Sequence, residues 1–352
     1  NSNPTMHGQG TRGEDTNDIV PMIEGHHSRA LAAARGMMRA RRDSDILIAG
    51  VGGLGCAWAA KAHEGVVDNA DLLLVDHPHS QMPDAEAHRL DLGRDPHPAG
   101  CASLPQLAKQ RMMAHGQNTA AVMESIELVI LMAGLGGGAG SGAAPELARQ
   151  ARRSGALVLT IAALPFESQS TRTIVARDAL DDLEQSSDVC VRLSLDRLAW
   201  QAKERGSDWR KGASWIEELV HGMVQTICKM GLINLDLMDL RAVVERKGKA
   251  TMLVAEGASS DPLEVFEKAL RAPLDDLAII GARSCLLQVE GGRGMTVSQV
   301  EAVANAFTQG LHPEALVILG ARMTPELEGR LRAVAVVSGI NQGIANVSTD
   351  GK

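Results

Sequence analysis

The chain of 352 residues has no tyrosine, three phenylalanines and four tryptophans, so its core must be built from Ala, Leu, Val, Ile and Met. An excess of basic residues is missing too: the net charge of −8 argues against non-specific attachment to DNA or to an acidic membrane surface. Nucleic acid and direct membrane binding are therefore not expected among its partners. Cysteine is sparse, and Cys56, Cys101, Cys190, Cys228 and Cys285 are odd in number, widely spaced and without a CxxC pair. That usage suggests reduced thiols in a cytoplasm rather than a disulfide framework or a zinc site. No apolar run approaches the roughly 18 residues needed to span a bilayer. The polar, Gly-rich opening "NSNPTMHGQGTRGEDTND" does not look like a signal peptide. The eleven histidines, His26, His27, His77 and His79 among them, have no metal-ligand spacing with cysteines or acids and read as surface or loop residues.

What is present is an ordinary globular composition, 45% hydrophobic and 22% charged, on a length that fits two domains. "DILIAGVG" (45–52), "ADLLLVD" (70–76), "LVILMAG" (128–134), "ALVLTIAAL" (156–164) and "VCVRLSL" (189–195) are short β-rich runs bounded by Gly, Pro or Asp. Such runs mark buried strands of a parallel sheet, and helical stretches such as "CAWAAKAH" and "PELARQARR" lie between them. The alternation predicts a doubly wound α/β domain. A long helix, "SWIEELVHGMVQTICKM" (214–230), stops at Gly231. Beyond it, "KATMLVAEG", "SCLLQVEGG", "EALVILGARM" and "RAVAVVSG" read as four strands, with helices near 262–271 and 296–310, forming a second, smaller α/β domain with its own sheet. The expected organisation is an N-terminal tail with room for an extra helix over 1–44, the doubly wound α/β domain over 45–212, a central helix over 213–231, a second domain over 232–338 and a short tail over 339–352.

Two glycine-rich turns carry chemistry. In "GVGGLG", Gly50, Gly52 and Gly55 satisfy G-x-G-x-x-G between a strand and a helix, and Asp76 ends the next strand, where a Rossmann domain keeps the acid that holds a ribose. Glycine lets the backbone approach phosphate oxygens while the helix N-terminus supplies N–H donors. "LMAGLGGGAGSGAAPELA" (131–148) repeats this arrangement, with Pro145 and Glu146 placed in the first turn of the following helix. Two such turns from one parallel sheet would set two anion-binding helix ends side by side, enough for a triphosphate.

"GLGGGAGSGAAP" resembles the tubulin/FtsZ signature, with Ala139 where threonine is usual. "ALVLTIAALPF" is similar to the strand and Pro-Phe turn that follow this signature in FtsZ, and Asn234, Asp236 and Asp239 in "GLINLDLMDLR" reproduce the family's N-x-D-x-x-D loop. The resemblance spans about 45–338 and is closer to FtsZ than to eukaryotic tubulin. It implies the tubulin/FtsZ fold, GTP or GDP with Mg²⁺, and head-to-tail self-assembly in which one subunit's Asp236 and Asp239 act on the nucleotide of the next, polarising or positioning water. Nucleotide contacts would fall on Gly52, Gly53, Gly55 and Cys56, on Gly136, Gly137, Gly138, Ala139, Gly140, Ser141 and Gly142, on Arg172, and on Ser214. The family's pattern is not kept throughout. Leu195 stands at the Asn position that reads guanine, Ala213 and Ser214 stand where an Asn-Asp pair is usual, and Ser168 replaces a glutamate four residues before Arg172. Either a neighbour such as Asp208 or Glu217 reads the base, or the base preference is relaxed, or the site is degenerate. Three readings follow: a filament-forming GTPase, a scaffold of the same fold with weak, altered or absent nucleotide binding, and a Rossmann-type or adenylating enzyme.

Overall fold

The computed structural model describes residues 45–77, 82–93, 104–204, 220, 249–271 and 279–340. The N-terminal tail, the central helix apart from Val220, Ser214, the 231–241 loop and the residues beyond 340 lie outside them.

Six strands open the fold: β1 (Ile46–Val51), β2 (Asp71–Asp76), β3 (His88–Asp91), β4 (Leu128–Gly134), β5 (Leu157–Leu164) and β6 (Val189–Ser194). They pair in parallel in the order β3-β2-β1-β4-β5-β6, with Leu47 of β1 opposite Asp71 of β2 and Val129 of β4. Side chains alternate between the faces of a strand, and both faces here are covered, so the strands read as unbroken apolar runs. Ile46 and Ile48 pack into one core with Trp58 of α1 (Gly52–His63), while Leu47, Ala49 and Val51 pack into another with α2 (Pro105–Ala114) and α4 (Gly138–Arg153). The short α3 (Gly116–Val122) follows α2, α5 (Ser170–Ser186) joins β5 to β6, and α6 (Leu195–Glu204) follows β6.

The second half contributes β7 (Lys249–Ala258), α7 (Pro262–Arg271), β8 (Ser284–Gly291), α8 (Val297–Thr308), β9 (Leu316–Met323) and β10 (Arg330–Ile340). The predicted four strands and two helices are thus all present. Thr296 and Gln299 form a reciprocal capping box that starts α8, so its boundary is written locally. The last strand, β10, lies antiparallel between β7 and β8, and α7 and α8 cover one face, with Phe266 and Phe307 meeting edge to face at 4.9 Å. The expected separate sheet is a correction: β7 pairs with β6 through Val191 and Ala250, giving one ten-stranded order. The pairing is a single backbone register between distant segments, which no local pattern announces.

Candidate functional site

The carboxyl ends of β1, β2, β4, β5 and β6 open onto one cleft of about 480 Å³. That edge is where open α/β sheets bind ligands, because helix N-termini gather there. Its wall includes Gly52 and Gly53 after β1, Asp76 and His77 after β2, Gly137 to Gly140 after β4, Pro165, Gln169 and Arg172 after β5, and Leu195 after β6.

Two helices begin on this wall. Neither α1 nor α4 has a side chain capping its N-terminus, and neither carries an acid in its first turn. The first turn of any α-helix leaves backbone N–H groups without intrahelical acceptors and carries partial positive charge. The two ends meet: a Cβ on Gly52, whose φ is +74°, would sit 3.2 Å from the Gly140 nitrogen. At Gly140 a Cβ would lie 2.1 Å from the Gly134 carbonyl oxygen, so only glycine lets α4 start this close to β4. Pro145 and Glu146 do not open α4 as expected. The helix starts at Gly138 inside the glycine run, which places Pro145 in the helix interior and Glu146 in a buried polar cluster.

Other predicted residues shape the loop from behind. The Ser141 hydroxyl oxygen accepts the Gly136 N–H at 2.8 Å, and Gly136, at φ +94°, presses against Arg172 of α5. Gly55 and Gly142 are packed against backbone carbonyls of Met132 and Pro105. Cys56 is fully buried and donates to the carbonyls of Gly50 at 3.4 Å and Val75 at 3.6 Å, away from the cleft wall. Burial, seconded by the Asp76 carboxylate, pushes its thiol up to about 12. The structure therefore brings Gly52, Gly53, Gly137, Gly138, Ala139, Gly140 and Arg172 onto the wall, and holds Gly55, Cys56, Gly136, Ser141 and Gly142 behind it. Ser214, Asn234, Asp236 and Asp239 lie outside the described residues.

His77, one of the histidines read as surface or loop residues, is a loop residue after β2 but a buried one on the cleft wall, and its backbone N–H donates to Asp76 Oδ1 at 2.8 Å. Gln169 was not singled out, although it stands one turn before Arg172 at the start of α5, a spacing that puts both on one helix face. Leu195, 7% exposed, sets an apolar side chain on the wall near Ala163 and Pro165.

Paired, uncapped helix N-termini over a glycine-lined cleft define a phosphate-binding α/β domain. Residues 45–202 match the model of the tubulin/FtsZ family GTPase domain, and residues 248–341 match that of the FtsZ family C-terminal domain. The chain belongs to the tubulin/FtsZ family, which places it among the cytoskeletal GTP-binding proteins. It is 31% identical over 301 residues to cell division protein FtsZ 1 of Archaeoglobus fulgidus, covering 84% of this chain and 82% of that protein. It is 32% identical over 303 residues to cell division protein FtsZ of Haloferax mediterranei, covering 84% and 80%. A solved structure of an FtsZ variant from M. jannaschii is similar at TM-score 0.75 and 25% identity, over 89% of this chain and 96% of that one. CetZ2 from Haloferax volcanii, at TM-score 0.66 and 18% identity over 85% and 94%, shares the fold.

Proposed function

We propose that the chain holds GTP by its phosphates in this cleft, assembles head to tail with copies of itself, and hydrolyses GTP where Asn234, Asp236 and Asp239 of the partner subunit complete the site. The observation that carries the reading is the meeting of the α1 and α4 N-termini, which supplies backbone N–H donors and positive potential with no first-turn acid to oppose a polyanion. Among the described wall residues Asp76 is the one acid, so the groups that orient water come from elsewhere. The 231–241 loop is the candidate by its two aspartates.

Among the described residues no three His, Cys, Asp or Glu side chains cluster as a metal site. Mg²⁺ would then be held mainly by phosphate oxygens and water, which suits an ion that dehydrates reluctantly. When bound it would neutralise charge on the β and γ phosphates. A cytoplasmic place is inferred from the relationship to cell division proteins of the FtsZ type. Among the described residues no helix is long and apolar enough to cross a membrane.

GTP turnover per molecule should rise with protein concentration, and electron microscopy should show filaments with GTP that are missing without it. An Asp239→Ala variant should lose turnover and form longer-lived filaments. Turnover that stays flat over a wide dilution series, or an Asp239→Ala protein as active as the parent, contradicts the shared site. Leu195 favours a second reading, a filament scaffold with altered base selection, because an apolar side chain cannot read a guanine edge. Absorbance of the base released on denaturation separates the two: guanine supports the GTPase, and no base supports the scaffold.

A further inference from the structure

Behind the phosphate loop, Arg149 joins α4 to α5 at the centre of a polar cluster that Lys109 and Gln150 extend to α2. Its Nη1 donates to Asp182 Oδ1 at 2.6 Å and to the Ser186 hydroxyl at 2.8 Å, both on α5, and its Nε donates to Glu146 Oε2 at 3.0 Å on its own helix. Lys109 of α2 reaches Asp182 Oδ2 at 3.3 Å, and Gln150 links Glu146 Oε1 to the Met112 carbonyl of α2, both at 3.1 Å. The node is buried at one end and open at the other: the side chains of Glu146, Arg149 and Asp182 are 4%, 27% and 37% exposed, so the Arg149–Asp182 pair itself is half-buried. Burial alone would raise the Asp182 carboxyl; the Arg149 hydrogen bond and charge, with Lys109, outweigh it and hold the group below its ordinary range.

Both helices feed one apolar cluster, α4 with Ala144, Leu147, Ala148 and Ala151 and α5 with Ala176, Ala179, Leu180 and Leu183. Apolar burial is non-directional, so it does not by itself choose one register of the two helices. A directional charge pair supplies the missing register. What that register sets is the cleft, for the N-terminus of α4 is the glycine loop and the first turn of α5 carries Arg172, with the two in contact at Gly136.

We infer that the Arg149–Asp182 pair is a positioning latch that holds the phosphate loop of α4 in register with Arg172 of α5, so that the cleft grips a nucleotide by its phosphates. The inference rests on the phosphate-binding reading of the cleft. Arg149 touches no ligand in this role and acts through α4 and α5.

The test is the ratio of the Kd for GMP to the Kd for GTP, measured beside the thermal melting of the nucleotide-free protein. Arg149→Met keeps the length and apolar packing of the side chain and removes the latch. It should lower the ratio about tenfold, the scale on which groups that orient a site's own contacts act, with GMP affinity near the parental value. Arg149→Lys should restore part of the ratio, and Asp182→Asn, which conserves shape, should repeat the loss and stands in if Arg149→Met does not fold. A lowered melting temperature with the parental ratio means the pair only stabilises the domain, and overturns the latch. A parent that binds GMP and GTP alike overturns the cleft reading, and the latch with it.

Discussion

Replacing Gly140 with alanine would set a methyl carbon 2.1 Å from the carbonyl oxygen and 3.1 Å from the carbonyl carbon of Gly134, where Cβ contacts under 3.0 Å are essentially never found. Both obstacles are backbone, at the end of a strand buried on both sides, so no rotamer change relieves them. The start of α4 must therefore retreat by roughly 1 Å, and such forced overpacking costs about 1–3 kcal/mol. For a protein of this size that corresponds to a fall in melting temperature on the order of 5 °C. The N–H groups of Gly138, Ala139 and Gly140 retreat with the helix, and since a displacement of about 1 Å can cost on the order of a hundredfold, GTP affinity should drop by at least about tenfold. Thermal melting and a GTP titration read the two effects. Gly116→Ala is the matched control: a Cβ there meets nothing within 4 Å at the first residue of α3, so stability should hold or rise by about 0.4–1 kcal/mol with binding unchanged. If Gly140→Ala melts and binds as the parent does, the close approach of α4 to β4 is not what builds the site.

Glu290 is 1% exposed at its side chain and takes Arg322 at 2.5 Å and Arg332 at 3.3 Å from the neighbouring strands, while Arg332 also reaches Glu256 at 3.2 Å, forming a charged row across β7, β10, β8 and β9. Glu290→Ala should destabilise by about 3 kcal/mol, because removing one partner strands buried charge, and an unchanged melting temperature would show the row to be dispensable. Cys56, Cys190 and Cys285 should resist a thiol reagent in the folded protein at pH 8 and react in denaturant, since all three are buried. For Cys56 the folded value of about 12 lies above the ordinary 9.0, so its contribution to stability is full below pH 9 and is lost as pH rises toward 12. A Cys56→Ser protein with the same alkaline loss of stability as the parent would assign that loss to other groups.

The strands were legible because burial on both faces leaves a chemical record. "DILIAGVG" and "ALVLTIAAL" contain β1 and β5 to within a residue or two, each a run of Leu, Ile, Val and Ala with polar or turn residues at its ends. Strand β3 left no such record: in His88–Asp91 only Leu90 is buried, as suits an edge strand. The insertion of β10 between β7 and β8, and the join of β6 to β7, depend on pairings between segments far apart in the chain.

Within the site, legibility followed the backbone. Both glycine turns were found because a chain that must bring N–H groups against phosphate and carbonyls has to discard side chains, and six glycines in nine positions advertise that need. The same glycines misplaced the start of α4, for low helix propensity argues for a loop, whereas the run is helical from Gly138 because β4 on one side and α2 on the other leave no room for anything wider. Gln169 escaped notice, and His77 was set aside as a surface or loop residue, for the converse reason. Each is an ordinary polar residue that becomes significant only when β2 and α5 deliver it to the end of β1, a juxtaposition fixed by strand order. Leu195 is the instructive intermediate: its type was conspicuous in the sequence, and its place on the cleft wall would make it a chemical constraint on the base under the proposed function, in which the N-termini of α1 and α4 would hold phosphate whatever base is attached. On that proposal, phosphate grip and base choice would be built from different parts of this fold, and one could change without the other.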